Sequence, residues 1–206
     1  MQQDFKEQVF SHYVEDIARL VDKNSGQKSP IWDNCNKTAP IIIAIDGRSA
    51  SGKTSFADML SNRLSCPVIH TDDFYLPLVL RTEQIMQSCF GHMDLERLRT
   101  EVLLPLSQGR TASYRPFSCK SQTFLEEIRI TPPRVAIIEG TYSLFPTLTP
   151  YYDIKIFLDT KSQRERLLAR EGEEGLLRFS RLWIPREEEY ISTVHPEGLC
   201  DFVIEN

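Results

Sequence analysis

The stretch Ile41-Ile42-Ile43-Ala44-Ile45-Asp46-Gly47-Arg48-Ser49-Ala50-Ser51-Gly52-Lys53-Thr54 decides the fold of this chain. Its unbroken apolar start reads as a strand buried on both faces, and Ser55-Phe56-Ala57-Asp58-Met59-Leu60 behind it reads as a helix. Between the two, the spacing Gly47-x-x-x-x-Gly52-Lys53-Thr54 is that of a P-loop. The glycines let the backbone curl until successive N–H groups and the helix N-terminus face a phosphate chain. Lys53 adds a positive charge near the β- and γ-phosphates, and the Thr54 hydroxyl is a ligand for Mg²⁺. Gly47, Arg48, Ser49, Ala50, Ser51, Gly52, Lys53, Thr54 and Ser55 are therefore the expected nucleotide-binding residues.

From Pro40 onward, short apolar runs alternate with longer amphipathic ones, the pattern of β-α-β units around a parallel sheet. Strands are expected at Ile41–Asp46, Pro67–His70, Arg134–Glu139, Ile154–Asp159 and Asp201–Ile204. Helices are expected over 53–64, 94–107, 161–171 and 174–194, the last interrupted at Pro185. Ala112–Phe117 and Thr123–Thr131 predict a small β-hairpin outside that sheet.

Upstream, residues 4 to 22 carry Phe5, Val9, Phe10, Tyr13, Val14, Ile17, Leu20 and Val21 at helical spacing, so an amphipathic helix is expected there. Residues 23–38, polar and broken by Gly26 and Pro30, read as a linker. The expected organisation is an N-terminal helix and linker over 1–38, packed on a domain over 39–206 with a five-stranded parallel sheet in a three-layer α/β/α fold.

The 206 residues are 41% hydrophobic and 26% charged, enough material for one good core. With 24 Lys and Arg against 29 Asp and Glu, the net charge is −5 and no basic block dominates, which argues against a nucleic-acid partner. The first residues lack the basic start and apolar stretch of a signal peptide. The longest apolar run, Ala39 to Ile45, is too short to cross a bilayer, so a cytoplasmic protein without a membrane partner is expected. The five cysteines, Cys35, Cys66, Cys89, Cys119 and Cys200, form no Cys-x-x-Cys pair and read as reduced structural thiols.

A P-loop by itself serves kinases, GTPases, motors and switches alike. A guanine reader needs Asn-Lys-x-Asp after the loop, whereas Asn36-Lys37-Thr38-Ala39 precedes it and lacks the Asp. The second strand ends in Thr71-Asp72-Asp73-Phe74-Tyr75, which sets two carboxylates at the carboxyl end of a strand, where open α/β sheets bind ligands. A carboxylate there can accept a hydroxyl proton while a phosphoryl group moves, or it can cap a turn. Val135-Ala136-Ile137-Ile138 ends in Glu139-Gly140, the apolar-run-then-acid pattern that places a carboxylate near magnesium. Arg164, Arg166, Arg170, Arg178, Arg181 and Arg186 suit phosphate oxygens, and equally suit a solvated helix face of Glu–Arg pairs.

Taken together, Ile45 to Thr54, His70-Thr71-Asp72-Asp73-Phe74-Tyr75 and Ile138-Glu139-Gly140-Thr141-Tyr142 resemble the uridine kinase family, which belongs with phosphoribulokinase and bacterial pantothenate kinase. The resemblance extends through Arg166-Leu167 and Arg170 to Trp183-Ile184-Pro185-Arg186-Glu187-Glu188-Glu189-Tyr190 and Cys200-Asp201-Phe202-Val203-Ile204. It implies ATP and Mg²⁺ as cofactors and transfer of the γ-phosphoryl to a primary hydroxyl of a nucleoside or related small metabolite.

By the same resemblance Asp72 is the catalytic base, because the family carries it in an Asp-x-Phe pattern; whether Asp73 shares that role stays open. Lys53 and Arg166 join Asp72 in catalysis, Arg166 lies near the acceptor hydroxyl and Arg170 holds ATP phosphates from a lid. Tyr75, Asp94, Tyr114 and Phe117 line the acceptor site, and Thr54 and Glu139 serve the magnesium. The family also reads its pyrimidine with a histidine, and Ser118-Cys119-Lys120 supplies none. A kinase of another acceptor, such as pantothenate, a different ribosyl compound or a sugar acid, therefore stays open, as do a regulatory nucleotide-binding protein and self-association.

Overall fold

Strand β1 (Ile41–Gly47) is the centre of the molecule, and every residue from Ile42 to Gly47 is buried. The computed structural model describes residues 2–24 and 39–206; most of the expected linker, and Cys35 with it, lies outside the described residues. Strands β2 (Val68–His70), β3 (Ala112–Tyr114), β4 (Phe117–Ser118), β5 (Thr123–Phe124), β6 (Ile128–Ile130), β7 (Val135–Glu139), β8 (Ile154–Asp159) and β9 (Phe202–Glu205) follow. The main sheet has the order β2-β7-β1-β8-β9, with every pairing parallel. Register sets Ile45 of β1 opposite both Glu139 and Ile156, so the carboxyl ends of the three central strands finish side by side.

Alternation along β1 feeds two cores, since successive side chains of a strand point to opposite faces. Ile43 and Ile45 pack with Phe10, Val14, Ile17 and Val21 of α1 (Gln2–Asn24) and with Phe56, Ala57 and Leu60 of α2 (Lys53–Leu64). The rings of Phe10 and Phe56 meet edge to face at 5.0 Å, which ties the N-terminal helix to the helix that follows the P-loop. Ile42 and Ala44 face the other core with Leu98, Val102, Leu103 and Tyr190. Those leucines and Val102 belong to α3, made of Leu95–Arg97, a π-helical turn Leu98–Leu103 and Leu104–Ser107.

In the long C-terminal helical region the expected break between 171 and 174 is present, and only the stretch after it is divided differently from the sequence expectation. Helix α4 (Gln163–Arg178) is broken at Gly172, whose φ of 71° and ψ of −175° leave the helical region. A π-helical turn, Phe179–Trp183, then leads into α5 (Ile184–Val194). Pro185 does not interrupt a helix. It lies in the first turn of α5, where its missing N–H is not needed. The expected hairpin exists as two short antiparallel ladders, β3 with β6 and β4 with β5, outside the parallel sheet.

Asp46, next to last in β1, is a fully buried carboxyl. Its Oδ1 accepts the N–H groups of Gly47 at 2.6 Å and Tyr142 at 3.2 Å, while Oδ2 accepts the Leu144 N–H at 2.9 Å and the Tyr190 hydroxyl at 2.7 Å. Burial pushes this carboxyl up to about 6, with the hydrogen bonds opposing that shift. A raised acid binds its proton more readily in the folded state, so its charge weighs against stability as pH rises from about 4 to about 6. Above that window Tyr190 donates to a buried charge, and below it to a neutral acid. Tyr190→Phe is expected to cost about 1–3 kcal/mol, with a larger fall in Tm at pH 8 than at pH 5; an equal fall at both pH values contradicts this role.

Candidate active site

The strand ends open into one cleft of about 1220 Å³, lined by residues from the P-loop, the loops after β2 and β7, and α4. The P-loop forms its floor through Ser49, Ala50, Gly52, Lys53, Thr54 and Ser55. Gly47 makes the turn possible, since its φ is 143° and a Cβ there would sit 2.0 Å from the Leu158 carbonyl oxygen. Gly52, at φ 97°, then sets up the N-terminus of α2 behind the loop. Lys53 is nearly buried, and its Nζ donates to the carbonyls of Gly47 and Arg48 at 2.9 Å each. Arg48 turns away from the cleft, pairing with Asp159 at 2.9 Å and with Glu188.

Beside the P-loop stand the ends of β7 and, one strand further out, β2. Asp72 and Asp73 both line it, from a 3₁₀ turn, Thr71–Phe74, that directly continues β2. Asp72 is open to solvent through the cleft, while protein atoms crowd its other sides; that desolvation first, then the Glu139 charge, raises its carboxyl above the ordinary 3.8. Asp73 is also raised, chiefly by burial, and accepts the Tyr114 hydroxyl at 3.2 Å. Tyr75 faces Asp72 and lines the cleft.

Glu139 is buried at the end of β7. One carboxylate oxygen accepts the Thr54 hydroxyl at 3.3 Å, and the other bonds His70 Nδ1 at 2.8 Å, a bond that raises the imidazole above its ordinary value. A hydroxyl and a carboxylate oxygen converging beside a phosphate cradle form a hard-oxygen donor set that suits Mg²⁺, which keeps several waters and phosphate oxygens. Among the described residues no three His, Cys, Asp or Glu side chains cluster into a closed metal cage.

The remaining expected residues divide. Arg166 and Arg170 line the cleft; Arg166 donates to the Ala50 carbonyl at 3.4 Å, and Arg170 pairs with Glu171 and covers the Phe179 ring. Asp94, Tyr114 and Phe117 do not line it. The Asp94 carboxyl caps α3 by accepting the Arg97 N–H at 3.1 Å. Tyr114 is buried and stacked on Phe74, and Phe117 is buried against Phe124 in the small ladder.

Several cleft residues have no counterpart among the expected site residues. His92, Trp183, Phe179 and Tyr142 form an aromatic wall: His92 lies 5.8 Å from the Tyr75 ring, 5.4 Å from Tyr142 and 4.8 Å from Trp183. His92 is buried, and its Nδ1 has no protein partner. Burial, with the charges of Arg186 and Arg81 behind it, pushes this imidazole down to about 3, so it stays neutral near pH 7. Glu187 of α5, also buried, reaches the P-loop itself. Local pattern marks Trp183 and Glu187 only as helix residues; nothing in their spacing tells which way the helix faces.

The sequence model of the Phosphoribulokinase / Uridine kinase family matches residues 42–168, more than half of the chain. The chain is 31% identical over 169 residues to "Uridine-cytidine kinase B" of Dictyostelium discoideum, covering 74% of this chain and 70% of that protein. It is also 31% identical over 166 residues to "tRNA-specific adenosine deaminase subunit tad2" of Schizosaccharomyces pombe, covering 75% of this chain but only 41% of that longer protein. The solved structure of a possible uridine kinase from Bacillus stearothermophilus has the same fold, with a TM-score of 0.64 and 18% identity, over 92% of this chain and 99% of that one. On the family match and the Dictyostelium relative together, the chain belongs to the phosphoribulokinase / uridine kinase family.

Proposed function

We propose that this protein transfers the γ-phosphoryl group of ATP, with Mg²⁺, to a primary hydroxyl of a nucleoside or related small metabolite. The observation that best supports this reading is that Lys53 and Asp72 line one cleft, a phosphate seat in the same space as a crowded carboxyl. The P-loop amides and Lys53 orient the phosphate chain, and Arg166 and Arg170 approach it from α4. Thr54 and Glu139 would hold the Mg²⁺, which when bound neutralises charge on the phosphates. Asp72 accepts the acceptor hydroxyl proton, and its raised pKa brings it closer to the working range of a general base.

On the acceptor side, the wall of His92, Tyr75 and Trp183 suits a flat or ring-shaped acceptor. The unpartnered His92 Nδ1 offers such an acceptor one neutral hydrogen-bonding edge, since a buried polar atom is normally paired. Tyr114 acts from outside the cleft, by holding the carboxylate of Asp73.

Four measurements test the reading. ATP turnover screened against ribonucleosides, other ribosyl compounds, pantothenate and sugar acids is expected to rise with one acceptor class; hydrolysis that no acceptor stimulates refutes it. Asp72→Asn is expected to lower kcat by about 10²–10⁴-fold while ATP binding is kept. In the wild type, kcat/KM is expected to fall as pH drops through a carboxyl pKa above the ordinary 3.8, because the base works only when ionised. With the acceptor identified, His92→Phe, which keeps the ring and removes the polar edge, is expected to raise the acceptor KM and leave the ATP KM unchanged.

A further inference from the structure

Glu187 is 3% exposed, yet it lies on the wall of the cleft. One carboxylate oxygen accepts the backbone N–H of Ser49 at 3.1 Å and the Gln163 side-chain amide at 2.9 Å. The other takes the hydrogen bond of the Ser49 hydroxyl. Gln163 also donates to the Ser49 carbonyl at 3.2 Å, so α4 and α5 both close on this one residue of the P-loop.

A buried carboxylate is costly unless it is paired or well hydrogen-bonded. Among the described residues no cation pairs with Glu187: the Arg48 guanidinium is taken by Asp159 and Glu188, and the Lys53 ammonium by two loop carbonyls. What holds the carboxylate in place is a P-loop amide and hydroxyl, groups of the kind the loop presents to phosphate oxygens. A carboxylate oxygen on the Ser49 amide therefore stands where a phosphate oxygen can bind.

The helix that carries Glu187 carries the acceptor wall as well. Trp183 immediately precedes α5, and the Arg186 guanidinium donates to the carbonyls of Met86 at 3.0 Å and Ser88 at 2.8 Å, in the segment leading to His92. Withdrawal of Glu187 thus shifts the element that borders the acceptor, and any coupling of this kind acts in both directions.

We propose that Glu187 is a donor-site residue that competes with the terminal phosphate of ATP for the Ser49 amide, so that a triphosphate seats fully only when the carboxylate withdraws with α5. This rests on the reading of the P-loop as the ATP site. A diphosphate, one phosphate shorter, meets less of this competition.

Calorimetric titration of the magnesium complexes of ATP and ADP into the wild type, Glu187→Gln and Glu187→Asp tests it. Glu187→Gln removes the charge at constant shape, and Glu187→Asp keeps the charge but draws it back from Ser49. Both are expected to bind ATP about tenfold more tightly, the scale of one partly screened like-charge contact, with a smaller change for ADP. Trp183 fluorescence is expected to respond to ATP at correspondingly lower concentrations in both variants. A merely structural role predicts the opposite: both nucleotides weaken together, or neither affinity moves, and either result overturns the proposal. If the wild type binds neither nucleotide, the ATP-site reading falls as well; if it binds ATP and neither variant separates ATP from ADP, this inference alone falls.

Discussion

Four hydrogen bonds onto one buried carboxyl hold the working end of this molecule together. Asp46 gathers the first amide of the P-loop, two amides of the loop after β7 and a phenol from α5, so three separate stretches of chain meet on it. The grip has a local consequence at Tyr142, whose φ of 72° is unusual for a bulky side chain. A conformation of that kind persists only where the surroundings over-determine it. Here its amide is held by Asp46, its ring by His92 and Tyr190, and its hydroxyl by the Cys89 carbonyl. The donor floor and the acceptor wall are thereby referred to the same atom pair.

Helix α5 is the second beneficiary of that arrangement. Through Tyr190 it is anchored to the strand that carries the P-loop, through Glu187 to the P-loop itself, and through Arg186 to the segment bearing His92. Polar contacts of this sort are directional, so they form in a small number of discrete arrangements. The sheet beneath is different in kind. Its two apolar cores pack Phe10 and Phe56 on one side and Leu98, Leu103 and Tyr190 on the other, and they supply rigidity without choosing any chemistry.

Much of the fold was legible because its signals are local. Ile41 to Ile45 is a run that only a doubly buried strand explains, and the glycines of the P-loop name their own conformation. The helix over 53–64 and the strand Ile154–Asp159 occur with the expected bounds. Pro185 misled because proline breaks a helix interior yet suits a first turn, and only the preceding π-helical turn tells the two apart. Asp94, Tyr114 and Phe117 are polar or aromatic residues in plausible places, but a capping bond and two ring contacts occupy them outside the cleft.

The sequence by itself determined the strand-loop-helix cradle, the carboxylates at the ends of the second and third sheet strands, and the family, since each of these follows from residue type at short spacing. Only the tertiary structure decided which aromatic residues wall the acceptor side and that Glu187 faces Ser49 across 138 positions of chain. The reason is the range of the interactions. Backbone conformation and strand burial are set within a few residues, whereas the meeting of α5 with the P-loop depends on how two apolar cores pack on opposite faces of one sheet, and no short pattern encodes that packing.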